Sequence, residues 1–227
     1  MKKSWYFIAL VLILITVLYN SSTREPFYQM ATPTFHVVIA TNGRPTLINM
    51  LNSLKDELSS NDALTIIFDG ADRKGKAGFT DSWLEGHKSK VNVIEQQLNT
   101  GLWGHPILNK YQGILEPKKT FIMFADDDDT YVPGTFNILR KKCTNPDTLY
   151  IGKMNYTGDL KKIIPSQSDV IKAGDIGKPC GIIPMGAVDK ATWGYNYEGD
   201  FDYYNSIQKT GIKIEYLDDI IYRVTSR

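Results

Sequence analysis

The feature that most constrains this chain is a short apolar run ending in four consecutive acids, Phe121-Ile122-Met123-Phe124-Ala125 followed by Asp126-Asp127-Asp128-Asp129. A run of that length bounded by charge predicts a buried strand. The acids then stand at the strand's C-terminal end, the edge where ligands of open α/β sheets bind. Adjacent carboxylates repel one another, so a compact fold must give them a cation or strong hydrogen bonds. Hard oxygen donors suit Mg²⁺ or Mn²⁺, ions that one or two carboxylates usually bridge to substrate phosphates. The competing reading is a solvated acidic turn ahead of a helix started by Pro133. The preceding strand and Pro133-Gly134 favour a metal–phosphate site.

The first half of the chain repeats one pattern. Phe35 to Ala40 is a buried-strand candidate that ends in the turn Thr41-Asn42-Gly43-Arg44-Pro45. Pro45 suits a first helical position. Leu47, Met50, Leu51, Leu54 and Leu58 then recur at helical spacing. A second strand, Ala63 to Phe68, ends in Asp69-Gly70-Ala71-Asp72, and Lys74 to Gly78 reads as a flexible loop. Val91 to Ile94 is a third strand, Asn99 to Gly104 a loop and His105 to Leu115 a helix, with the acid-ended strand fourth. Strands alternating with helices predict a parallel sheet with helices on both faces.

The second half is less regular. Leu149 to Ile151 reads as a strand, Gly152 to Gly177 as a polar stretch, and Pro179 to Gly186 as an irregular strand or a substrate-binding loop. Val188 to Trp193 is a short helix candidate. A helix opens at Glu198-Gly199-Asp200-Phe201-Asp202 and stops before Gly211, and Lys213–Leu217 and Ile220–Val224 read as two closing strands. Acids in a first helical turn are stabilised by the helix dipole, which alone can account for Asp200 and Asp202.

With 227 residues the chain can bury the core of one α/β domain. A net charge of +1 leaves no nucleic-acid footprint. Two cysteines, Cys143 and Cys180, make neither a disulfide framework nor a zinc site, though they could pair in an oxidising compartment. Lys2 and Lys3 precede an uncharged apolar run from Trp5 to Tyr19, flanked by aromatics. We read residues 1–20 as an uncleaved signal anchor spanning the membrane once, since Tyr19 to Ser22 makes a poor cleavage site. The lysines then place the N-terminus in the cytoplasm and the domain across the membrane. Residues 21–33, with Pro26 and Pro33, read as a stem, and residues 34–227 as the domain. Two sequons, at Asn20 and Asn155, are acceptors if the far side is a secretory lumen and their loops are exposed.

Taken in order, these segments resemble the GT-A fold glycosyltransferases of the family-2 type, over roughly residues 34–224. The acid-ended strand with Pro133 is similar to that family's Asp-x-Asp signature. Val38 to Thr41 with Arg44-Pro45 looks like its first strand and turn, and Ile67 to Gly70 like the acidic turn that meets the nucleobase, with Phe68 in the place of one acid. Asn99-Thr100-Gly101 looks like the loop before the third helix. Asp200-Phe201-Asp202 looks like the acidic motif of the late helix, with Gly199 interrupting the usual adjacent acid pair.

The resemblance implies a Rossmann-like, mostly parallel sheet and a metal-dependent, inverting transfer of sugar from a nucleotide sugar, expected to be a UDP-sugar. Thr41, Arg44, Asp69, Asn99, Gly101 and Asp126 are the implied donor contacts. Asp128 is the implied ligand of Mn²⁺ or Mg²⁺, with Asp126 as a second ligand or a ribose contact. Asp200 is the implied base, and Trp193 and Asp202 are candidate contacts to sugar or acceptor. No histidine is assigned to the metal. The implied partners are a nucleotide-sugar donor and a glycan, protein or lipid acceptor. A donor-using domain across the membrane points to a Golgi or endoplasmic reticulum lumen. Two rivals share some of these features: a sugar nucleotidyltransferase, whose Gly-rich basic loop is not matched by Thr41 to Arg44, and a membrane-tethered carbohydrate-binding or inactive relative.

Overall fold

The computed structural model describes residues 32–157, 161–166 and 170–225. The expected anchor at residues 1–20 and most of the stem lie outside the described residues. Among the described residues no helix is long and apolar enough to cross a membrane.

Four strands, β1 (Phe35–Thr41), β2 (Ala63–Asp69), β3 (Lys90–Gln96) and β4 (Phe121–Ala125), pair in parallel in the spatial order β3-β2-β1-β4. Every residue of β2 and β4 is buried, as expected for near-continuous apolar runs covered on both faces. The register aligns Thr41 with Phe68, Asp69 with Gln96 and Ile39 with Ala125. The loops after β1, β2 and β4 therefore leave the sheet at one edge. Helices α1 (Leu47–Lys55), α2 (Arg73–Ala77) and α3 (His105–Tyr111) connect these strands. Helix α1 buries Leu47, Met50, Leu51 and Leu54, the stripe that its spacing predicts. Helix α2 occupies the stretch read as a flexible loop; it is a single turn closed by Gly78 in the left-handed region, at φ 67°.

The second half extends the sheet differently. It comprises β5 (Thr130–Tyr131), α4 (Thr135–Lys142), β6 (Thr148–Tyr156), β7 (Ile163–Ile164), β8 (Gly181–Pro184), α5 (Gly199–Gln208) and β9 (Lys213–Val224). The full order is β3-β2-β1-β4-β8-β6-β9-β5, with β7 on β6. Strand β8 runs antiparallel to both β4 and β6, whereas β6 and β9 are parallel. The sheet is mixed rather than mostly parallel, because β8 is inserted against the direction of its neighbours.

The two expected closing strands are one 12-residue strand, β9, with register shifts against β6. A bulge of this kind takes up an unmatched residue without ending the strand. Cys143 and Cys180 are both buried and free, so the possible disulfide is not made. Asn155 lies half-buried within β6, paired to β7 on one side and β9 on the other, and not on the exposed loop that its sequon requires.

Candidate active site

Each of the four strand-end acids is partnered, two of them by one arginine. Asp126 accepts from the ammonium of Lys178 at 2.6 Å. Asp127 accepts from the Thr41 hydroxyl at 2.5 Å and from Arg44 at 3.1 Å. Asp128 pairs with the same Arg44 nitrogen at 2.6 Å. Asp129 accepts the backbone N–H of Thr225 at 2.9 Å. Arg44 and Lys178 thus offset the mutual repulsion of the carboxylates. Burial raises the Asp127 carboxyl above the ordinary range, and Thr41 and Arg44 only partly oppose it. Burial also works to raise Asp126, but the charge and hydrogen bond of Lys178, with Arg44 and His105 beyond, hold it below that range. For Lys178 burial favours the neutral amine; the charges of Asp126 and Asp200 outweigh it and raise the group above its ordinary value. The ammonium and the carboxylate keep each other ionised.

The second acidic element arrives from α5. Asp200 lies in its first turn, with one carboxylate oxygen accepting the backbone N–H of Lys178 at 2.9 Å. The other oxygen faces His105 Nε2 at 3.2 Å. His105 Nδ1 lies 2.6 Å from the carbonyl of Gly194. A carbonyl only accepts, so Nδ1 donates to it. Gly199 is what lets the ring in. A Cβ there would stand 2.5 Å from His105 Nδ1. The glycine that interrupts the acid pair of the resembled motif therefore has a packing cause.

Asp126, Asp128, Asp200, His105 and Lys178 line one cleft of about 600 Å³, together with Trp103 and Tyr197 at its mouth. Of the residues singled out in the sequence, the structure brings Asp126, Asp128 and Asp200 together here, with Arg44 reaching Asp128. Thr41 acts through Asp127 and is 2% exposed. Asp69, Asn99 and Gly101 form a separate cluster where β2 ends. The Asp69 carboxylate accepts from Thr100 N–H, the Thr100 hydroxyl and Gly101 N–H at 2.9–3.0 Å, and its carbonyl accepts from Asn99 at 2.8 Å. In this arrangement Asp69 shapes the loop that leads to Trp103.

Trp193, expected as a sugar contact, does not line this cleft. It is 1% exposed, stacked on Tyr203 at 4.0 Å, and its indole N–H donates to Gln112, so it packs the core and cannot stack on a sugar. Asp202 does not line the cleft and accepts from Asn196 at 2.9 Å.

Sequence reasoning missed His105 and Lys178. His105 follows a glycine-flanked turn at the sheet edge, which was a usable signal. Lys178 sits in no motif; its only mark was the Pro- and Gly-rich segment next to it, read as a possible substrate loop.

No protein-family model matches the sequence, and no curated protein matches it. Solved structures do match. A manganese complex of Rv0371C from Mycobacterium tuberculosis aligns over 87% of this chain and 90% of its own at 16% identity; its TM-score of 0.46 is too low to carry an argument. The mannosyltransferase PcManGT of Pyrobaculum calidifontis, in complex with GDP-Man and Mn²⁺, aligns over 96% of this chain and 67% of its own, at 12% identity and a TM-score of 0.59. This chain shares the GT-A-like fold of that mannosyltransferase.

Proposed function

We propose that this chain is a glycosyltransferase that moves a sugar from a nucleoside-diphosphate donor to an acceptor hydroxyl, with inversion at the anomeric carbon. The observation that carries the reading is the convergence of Asp126, Asp128 and Asp200 on one cleft at the edge where the parallel strands end. The fold shared with a GDP-Man-binding transferase supports it.

The donor set fits a divalent cation. Asp126 and Asp128 are two hard oxygen donors on one cleft, and Mg²⁺ or Mn²⁺ sites commonly combine one or two carboxylates with substrate phosphates. Among the described residues no cluster of three metal-ligating side chains exists, so phosphate oxygens would complete the shell. When bound, such an ion supplies charge for the diphosphate that departs. Arg44 and Lys178 stand beside these two acids and add positive charge to the same region.

Asp200 takes the acceptor proton. The acceptor oxygen forms its bond to the anomeric carbon, the bond from that carbon to the diphosphate breaks, and its electron pair leaves with the diphosphate. The Lys178 N–H and His105 orient the carboxylate for this task, and a positioned base of this kind contributes about 10²–10⁴-fold. The resemblance of the motifs implies a uridine donor.

The test is thermal shift of the full chain in detergent against UDP- and GDP-sugars, with and without Mn²⁺. At a hundredfold excess over Kd a ligand adds about 2.7 kcal/mol of stability. We expect at least one nucleotide to stabilise the protein in the presence of Mn²⁺, and Asp128→Asn to lose most of that effect. Stabilisation by no nucleotide contradicts the function, and an undiminished shift in Asp128→Asn contradicts the metal assignment.

A further inference from the structure

We propose that Trp103 and Tyr197 form a saccharide-binding corner that seats the acceptor's sugar ring beside Asp200. The proposal deepens the glycosyl-transfer reading of the same cleft and rests on it for the word acceptor.

Both rings are costly to leave in water. Trp103 is 54% exposed and Tyr197 84% exposed, yet both line the cleft that holds Asp200. The other exposed large apolar residues, such as Leu98, Ile114 and Tyr195, line no part of it. The two rings stand edge to face, 6.2 Å apart at 76°, which makes a right-angled corner and not a closed stack. Exposed aromatic surface gathered at a cleft mouth marks a ligand surface.

The placement is enforced by the reaction centre. Trp103 and its neighbour Leu102 sit at φ 56° and 49°, a left-handed conformation that side chains rarely adopt. The Trp103 carbonyl accepts from the Lys178 ammonium at 3.1 Å, the same group that binds Asp126. The loop that carries Tyr197 includes Gly194, whose carbonyl is held by His105, which also faces Asp200. Each aromatic loop is thus pinned by a residue that also touches one of the cleft's acids.

The chemistry of the corner fits a pyranose. A sugar ring offers a face of C–H bonds to an aromatic ring and a rim of hydroxyls to polar groups. Here the polar groups are Glu198 and Asp200, which line the cleft on either side of Gly199. Carboxylates beside the rings are poorly suited to an alkyl chain, whose burial would leave them unpaired.

The experiment uses the full chain in deuterated detergent. Saturation-transfer NMR would follow methyl glycosides of glucose, galactose, mannose and N-acetylglucosamine, with the nucleotide thermal shift run in parallel. We expect at least one glycoside to bind, about tenfold more weakly in Trp103→Ala and in Tyr197→Ala. Trp103→Phe and Tyr197→Phe should retain binding, and all four variants should keep the nucleotide shift. Absence of glycoside binding in the wild type overturns the proposal, as does equal binding in the alanine variants. Joint loss of glycoside and nucleotide in those variants overturns it too, since the rings would then merely support the site. Ring-dependent glycoside binding without any nucleotide effect upholds the corner and removes the donor reading instead.

Discussion

Asp200 accepts the backbone N–H of Lys178, lies 3.2 Å from His105 Nε2 and lines the cleft, and its two possible roles predict different outcomes. If it is only the dipole-stabilised opening of α5, its amide analogue should leave turnover intact. As the base, Asp200→Asn should lower turnover by about 10²–10⁴-fold while nucleotide binding stays near wild type. Collapse of nucleotide binding, or a dead Asp202→Asn beside an active Asp200→Asn, would show that the wrong acid has been assigned. A second residue governs stability. His36 is fully buried, with Nδ1 on the Pro117 carbonyl and Nε2 2.7 Å from the Thr65 hydroxyl. Burial pushes its imidazole down to about 4 from 6.5, against the opposing Pro117 hydrogen bond. The unfolded chain therefore takes up a proton that the folded chain refuses. The contribution is intact above about pH 6.5 and is lost as pH falls through about 4. At about 1.4 kcal/mol per pKa unit, the loss approaches about 3 kcal/mol. Burial also lowers His87, so the useful measurement is a comparison. The stability difference between wild type and His36→Gln, from urea unfolding at pH 7 and pH 4, should shrink by about that amount. An unchanged difference contradicts the assignment.

Between elements, α5 holds the segment that leads from Lys178 into β8. The Tyr204 hydroxyl donates to the Lys178 carbonyl at 2.6 Å and accepts Gly181 N–H at 3.1 Å. A Cβ at Gly181 would collide with the buried Tyr204 ring. Gly181→Ala should cost about 1–3 kcal/mol by overpacking and weaken nucleotide binding, because Tyr204 helps to fix Lys178. An unchanged urea midpoint would show that the ring can move aside. The elements also divide by how readable they were. Strands β1, β2 and β4 and helix α1 announced themselves through local period and turn chemistry. The β6–β9 pairing joins Thr148 to Lys213 across most of the second half, and no local pattern encodes that. Asp218-Asp219 falls between the two closing strands expected from the sequence. In the fold β9 runs through this pair, which meets Lys153 and Lys142 from outside the strand.

At the scale of the molecule, the site gathers Arg44, His105, Asp126, Lys178 and Asp200 from five places along the chain. The strand-end carboxylates were legible because four adjacent acids repel one another unless something offsets their charge, and Asp200 because it opens the late helix in the order of the resembled motifs. His105 and Lys178 were not, because their roles arise from long-range neighbours: Asp200 and Gly194 for one, Asp126 and the Trp103 carbonyl for the other. That these groups together transfer sugar from a nucleotide donor is tested most directly by nucleoside diphosphate release. Full-length protein would be assayed with UDP- and GDP-sugars, Mn²⁺ and a glycan mixture, beside Asp128→Asn, Asp200→Asn and a chelator control. The wild type should release diphosphate from at least one donor, with release reduced by at least about a hundredfold in both variants and in chelator. No release from any donor, or release that persists in Asp128→Asn and Asp200→Asn, would contradict it.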